Sequence, residues 1–129
     1  MPSGLVTAAL VAAGGALGTL VRWASGELVR RAGATLPWHT LAVNVFGCLL
    51  FGLLAELAAG RTVGGVDARL VLGTGVLGGL TTYSSFNHEV IALWSSGAWG
   101  RALGYAGATA VGCLLAGVGG LALGRALRA

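Results

Sequence analysis

Four long apolar runs separated by short polar segments make up almost the whole chain. The first extends from Gly4 to about Val21 and stops at Arg22 and Trp23. A polar connector with Glu27, Arg30, Arg31 and Pro37 follows. The second run spans His39 to Ala59, interrupted late by Glu56. A loop holding Arg61, Gly64, Gly65, Asp67 and Arg69 leads into the third, Leu70 to about Trp94. The turn Ser95 to Gly100 precedes the fourth, Arg101 to about Gly124, and Arg125 and Arg128 come after it. About 20 apolar residues in a helix cross the hydrocarbon core of a bilayer. Each run therefore predicts one transmembrane helix, and the fold class is an all-α integral membrane protein. Four crossings place both termini on one side.

Composition agrees with this pattern. The chain has 129 residues, a size for one unit, 1–129. Charged residues are 9% and hydrophobic ones 56%, with a mean hydropathy of +0.85. A soluble domain carries about 25% charge, and a single core of this size could not hide so much apolar surface. The pI of ≈ 10.1 raises the question of nucleic acid. The positive charge is all arginine, scattered singly or in one pair, with no basic stripe, so nucleic acid is excluded as a partner. Cys48 and Cys113 lie deep in apolar runs and read as small residues packing between helices rather than a disulfide framework. The Met-Pro-Ser-Gly start has no basic leader region, so the first run reads as retained.

Arginine in short loops sets orientation. Arg61, Arg69, Arg125 and Arg128 fall on the terminal side; Arg22, Arg30, Arg31 and Arg101 fall on the other. This balance leaves the orientation undecided. Either the chain inserts both ways and pairs as an antiparallel, dual-topology dimer, or a partner or helix-level effects fix its orientation. Trp23, Trp38, Trp94 and Trp99 cluster at helix ends on one side. An inverted dimer would supply aromatic rings to both interfaces, where they are favoured. Gly14-x-x-x-Gly18 and Gly120-x-x-x-Gly124 fit close helix packing in lipid.

The third run is the least ordinary. Its stretch Gly73 to Glu89 formally contains G-x-G-x-x-G, but without the βαβ context that a dinucleotide site requires. Gly78-Gly79 is followed by Thr81, Thr82, Tyr83, Ser84 and Ser85. Glycine weakens a helix, and hydroxyls compete for backbone groups. One reading is a helix broken mid-membrane, tolerated only where it lines a cavity or is buried in protein. The other is a continuous helix whose hydroxyls bond back to the preceding turn. Thr40 and Asn44 share a face of the second helix. A mid-membrane asparagine marks either a functional site or an interhelical hydrogen bond. Tyr105, Thr109 and Cys113 make one mildly polar stripe on the fourth. Arg22 either snorkels to the interface or hydrogen-bonds the broken segment. His88 and Glu89 read as solvated near a helix end, with proton coupling by Glu89 the minority reading.

These residues carry a resemblance. Gly14 to Trp23, Val43-Asn44-Val45-Phe46-Gly47 and Gly75 to Phe86 are similar, in order and spacing, to the motifs of the Fluc (CrcB) fluoride channels. The resemblance covers nearly the whole chain. It implies a passive fluoride-selective channel that exports fluoride across the cell inner (plasma) membrane and lowers its toxicity. It also implies an antiparallel homodimer, or a dimer with a paralogous subunit, and a structural sodium ion at the dimer centre. By motif position the sodium would meet the backbone carbonyls of Gly78 and Thr81. The implied fluoride contacts are Tyr83, Phe86 and Asn44, with Thr40, Ser84, Ser85, Tyr105 and Thr109 as further polar positions along the path. Arg22 would be structural. The family usually has phenylalanine where this chain has Tyr83, which adds a hydroxyl to the ring.

The alternative is a small dual-topology proton-coupled antiporter. Such proteins use an acid deep in the first helix, and this first run has none. A non-transporting assembly factor would not need a hydroxyl-rich third helix beside a buried asparagine. No nucleophile–base pair or metal-spaced cluster marks an enzyme.

Overall fold

The computed structural model describes residues 2–33 and 37–129. Its framework is three long helices, α1 (Gly4–Arg31), α2 (Trp38–Leu57) and α5 (Trp99–Arg128), each long and apolar enough to cross a membrane. Between α2 and α5 the chain is helical in two pieces. A π-helical segment, Arg69–Leu77, runs into one α-helical turn, Gly78–Leu80; together these form α3. The second piece, α4, is Tyr83–Ser95. Thr81 and Thr82 between them are extended, with ψ of 156° and 112°.

The first helix is longer than its apolar run. The segment from Trp23 to Arg31 continues α1 instead of connecting it to α2. Glu27 explains this: its carboxylate accepts from Arg30 at 2.7 Å and from Arg31 at 2.9 Å, three and four residues ahead on the same face. Both arginines also sit where a helix end favours positive charge. The helix stops at Ala32, and Gly33 takes the left-handed conformation, φ 75°, that commonly follows a helix. The rest of the connector, residues 34–36, lies outside the described residues, as does Met1 of the terminal motif.

The loop before α3 contains structure that hydropathy does not reveal. Thr62–Val63 and Val66–Asp67 pair as short antiparallel strands. Gly64 and Gly65 turn the chain with φ of 57° and 82°, the mirror-image turn that suits a tight hairpin. The Arg69 guanidinium and its backbone N–H both reach Asp67, which holds that carboxyl below its usual range.

Helix packing rests on glycine. A Cβ on Gly14 would come within 2.9 Å of the Val71 carbonyl oxygen, and one on Gly18 would overlap that of Val76. From the other side, a Cβ on Gly79 would overlap the Gly15 carbonyl. So α1 and α3 meet backbone to backbone. On the opposite flank α2 and α5 do the same, with Gly52 against the Gly117 carbonyl and Gly120 against that of Leu49. At the end of this pair Glu56 accepts from Arg125 at 3.1 Å and Arg128 at 3.4 Å. Large apolar side chains point outward instead: Leu5, Leu28, Leu103 and Leu114 are all well over half exposed. In lipid that surface is solvated by acyl chains, and contact between helices comes from small residues and van der Waals packing.

Gly120→Ala should therefore destabilise the fold by about 1–3 kcal/mol, the usual cost of overpacking. Gly117→Ala, whose Cβ meets its nearest neighbour at 3.8 Å, should be tolerated. Unfolding of both variants in detergent, read by circular dichroism, checks the pair.

Candidate ion pathway

The two extended residues between α3 and α4 are held by one side chain. Asn44, buried on α2, accepts from the Thr82 N–H at 2.8 Å and donates to the Thr82 carbonyl at 3.0 Å. Both backbone groups of Thr82 are thereby paired without helical partners. The Thr82 side chain starts the next helix, accepting from the Ser85 N–H at 3.2 Å as an N-cap. Thr81 closes the previous one, its N–H and its hydroxyl both donating to the Leu77 carbonyl.

Within the stretch Gly73 to Glu89 the non-helical residues are Thr81 and Thr82. Gly78 and Gly79 stay helical, and the extended backbone lies at Thr81–Thr82. Of the two, Gly79 is used for contact with α1. The Gly79 carbonyl accepts from Arg22 Nε at 3.1 Å and from the Thr19 hydroxyl at 3.5 Å. Because the Thr82 N–H is turned to Asn44, the Gly78 carbonyl loses the donor that a continuous helix would give it. A free carbonyl at the end of α3 has the chemistry of a hard-cation ligand, so the residues present fit the implied sodium from the Gly78 side.

A groove of ≈ 350 Å³ runs beside this interruption, lined by Asn44, Thr81, Thr82, Tyr83, Phe86 and Thr109 among others. Tyr83 and Phe86 lie one turn apart on α4 with ring centroids 5.5 Å apart, and Phe86 lies 5.5 Å from Tyr105 on α5. The rings form a column across the two helices. The Thr109 hydroxyl is buried and, among the described residues, has no hydrogen-bond partner. On the far side of Thr82 is a polar cavity of ≈ 430 Å³, lined in part by Arg22, Glu27, His39, Thr40, Ser85 and Glu89. Ser84 lines neither; it is exposed and lies 3.3 Å from the Thr82 hydroxyl.

The family model described as "CrcB-like protein, Camphor Resistance (CrcB)" matches residues 9–121. The chain belongs to the CrcB family. Among its relatives is a protein of Agrobacterium fabrum named "Fluoride-specific ion channel FluC", 47% identical over 124 residues, which are 95% of this chain and 99% of the relative. Proteins with the same name from Sorangium cellulosum and Thermus thermophilus are each 48% identical, over 88% and 85% of this chain and 91% and 89% of their own.

Within this CrcB chain the position of Glu89 differs from the sequence expectation. Glu89 is in the middle of α4, away from its ends. Its carboxylate accepts from the Thr40 hydroxyl and the Tyr105 hydroxyl, each at 2.7 Å. It joins α2, α4 and α5 at the inner end of the ring column. The missed signal was spacing. Thr82, Phe86 and Glu89 recur at helical intervals on one face, and an acid within an apolar run is costly enough to demand partners. His39 was also missed; its Nε2 lies 2.9 Å from the Ser25 hydroxyl of α1.

Asn44→Ala should leave the Thr82 N–H and carbonyl unpaired, at about 1–3 kcal/mol for each buried group. Asn44→Asp keeps the acceptor and should lose less. Denaturation in detergent orders the three proteins, with Asn44→Asp between wild type and Asn44→Ala.

Proposed function

We propose that this chain is a subunit of a passive, fluoride-selective channel that lets fluoride leave the cell. The observation that carries the reading is the groove itself. It sets ring edges, a buried unpaired hydroxyl and an amide side by side, with no fixed positive charge among them. The edge of an aromatic ring is weakly positive, so Phe86 and Tyr83 can face an anion without trapping it. Thr109 supplies an O–H donor in place of lost water. Asn44 has a second amide hydrogen beyond the one committed to Thr82. The N-terminus of α4, at Tyr83 and Ser84, adds the positive end of a helix dipole. Conduction needs sites strong enough to admit an ion and weak enough to release it, and dispersed partial charges meet that need. Thr40, Ser85 and Tyr105 continue the route past Thr82. The relatives named as fluoride-specific channels support the choice of anion.

The same reading takes α3 and α4 as a fourth crossing, interrupted mid-membrane at Thr81–Thr82, in a multi-pass protein of the inner membrane. Balanced arginines on the two sides support dual topology and an antiparallel homodimer. A paralogous subunit of opposite orientation would satisfy the same geometry. Sodium at the dimer centre would be held by the Gly78 and Thr81 carbonyls of both chains, with Arg22 fixing the neighbouring Gly79 carbonyl. The ion's role there would be to neutralise carbonyl dipoles that face each other.

Purified protein in liposomes should release fluoride rapidly, followed with a fluoride electrode, and should not release chloride. Phe86→Ala should cut fluoride flux by at least about tenfold, the worth of one hydrogen-bond-sized interaction. Thr109→Val separates transport from folding. Removing an unpaired buried hydroxyl should leave stability equal or higher, while fluoride flux falls. Full flux in both variants would remove the site assignment.

A further inference from the structure

The groove carries two side chains that the fluoride path does not use. Cys48 on α2 and Cys113 on α5 are both free thiols, neither fully buried, and both line the ≈ 350 Å³ groove. They lie on two helices that pack backbone to backbone, and they face the same groove. The helix frame imposes this approach. Gly52 and Gly120 bring the two backbones together along the same pair of helices, and Gly112 packs against Val45 just beside the thiols. The two cysteines are therefore neighbours on the groove, among Asn44, Phe86 and Thr109.

We propose that Cys48 and Cys113 form a two-thiolate site for a soft, linearly coordinated metal ion such as Hg(II), Ag(I) or Cu(I), and that an ion bound there closes the groove. Ligand type decides the class of metal. Thiolates select soft ions, whereas hard cations prefer oxygen. Structural zinc needs about four ligands, and no group of three or more His, Cys, Asp or Glu side chains occurs among the described residues. Two sulfurs suffice for an ion that takes two ligands in line. Binding of mercury is a substitution without redox change. Each S–H gives its proton to solvent as the sulfur lone pair bonds the metal, so one Hg(II) displaces two protons. Proton release of this kind accompanies metal capture by thiols generally. The effect on transport rests on the reading of this groove as the fluoride path, but the metal site does not.

Two measurements keep these apart. First, reduced protein in detergent is titrated with mercuric chloride while the ultraviolet thiolate-to-mercury absorbance is recorded. One equivalent per chain is expected, and C48S and C113S should each lose the absorbance. Cys48→Ala and Cys113→Ala repeat the test should a serine variant misfold. Wild-type-like titration in both single variants would overturn the dithiol site. Second, fluoride efflux from liposomes is measured with and without mercuric chloride. Wild-type flux should fall to that of empty liposomes and return on adding dithiothreitol, while the double serine variant conducts throughout. Equal block of the double variant, or undiminished wild-type flux with mercury bound, would overturn the placement of the site on the path. Absence of flux before any metal is added would instead overturn the channel reading and leave the titration standing.

Discussion

The fold depends on a pair of hydrogen bonds between the Asn44 amide and the backbone of Thr82. An extended residue between two helices exposes one N–H and one carbonyl, and in an apolar medium neither can be left bare. Asn44 offers one acceptor and one donor in the geometry of a peptide group, so it stands in for the missing turn of helix. Its own polar atoms are satisfied in the same contact, which is why the amide tolerates being buried. Everything useful near the interruption depends on this contact. α4 gains a capped N-terminus beside the groove, the Gly78 carbonyl is released, and Tyr83 and Phe86 start a helix whose first turn faces α5.

A clamp of this kind works only in a rigid frame. Large side chains interdigitating between helices would allow several packings of similar energy. Glycine against carbonyl allows few, because the backbones themselves are in contact at Gly14, Gly18 and Gly79 on one flank and at Gly52 and Gly120 on the other. Arg22 adds a directional tie, since its Nε reaches the Gly79 carbonyl at 3.1 Å, immediately before the interruption. The polar groups of the site are thus positioned by backbone contacts some distance away from them.

How much of this could be read in the sequence depended on the range of the interaction involved. The long apolar runs located α1, α2 and α5 because hydropathy integrates over about 20 residues. It misplaced the end of α1, since Glu27 makes the polar segment helical through local ion pairs that hydropathy counts only as polar. It also passed over the hairpin, where Gly64 and Gly65 act through backbone torsion. Whether the third run breaks or continues as helix stayed open in the sequence, because Gly78-Gly79 and the hydroxyls after it weaken a helix without fixing where the chain leaves it. Gly79 is held against α1, and the chain departs from helix where Asn44 competes for its hydrogen bonds. Glu89 escaped for a related reason: its partners Thr40 and Tyr105 lie on two other helices. Placing Asn44, Thr81, Thr82, Tyr83, Phe86 and Thr109 on one groove needed the structure, because α2, the third run and α5 come together only in three dimensions.

The π-helical geometry of Arg69–Leu77 bears on which length changes the gene can accept. A π-helix carries more residues per turn than an α-helix, so this segment accommodates a chain that would otherwise be out of phase with the α-helical turn at Gly78–Leu80. Each α-helical residue advances the phase by about 100°. Deleting one residue here would set Gly75, which meets Val11, out of line with Gly79, which meets Gly15. Single-residue insertions and deletions should accordingly be purged from this stretch during divergence, even where many substitutions of its side chains survive.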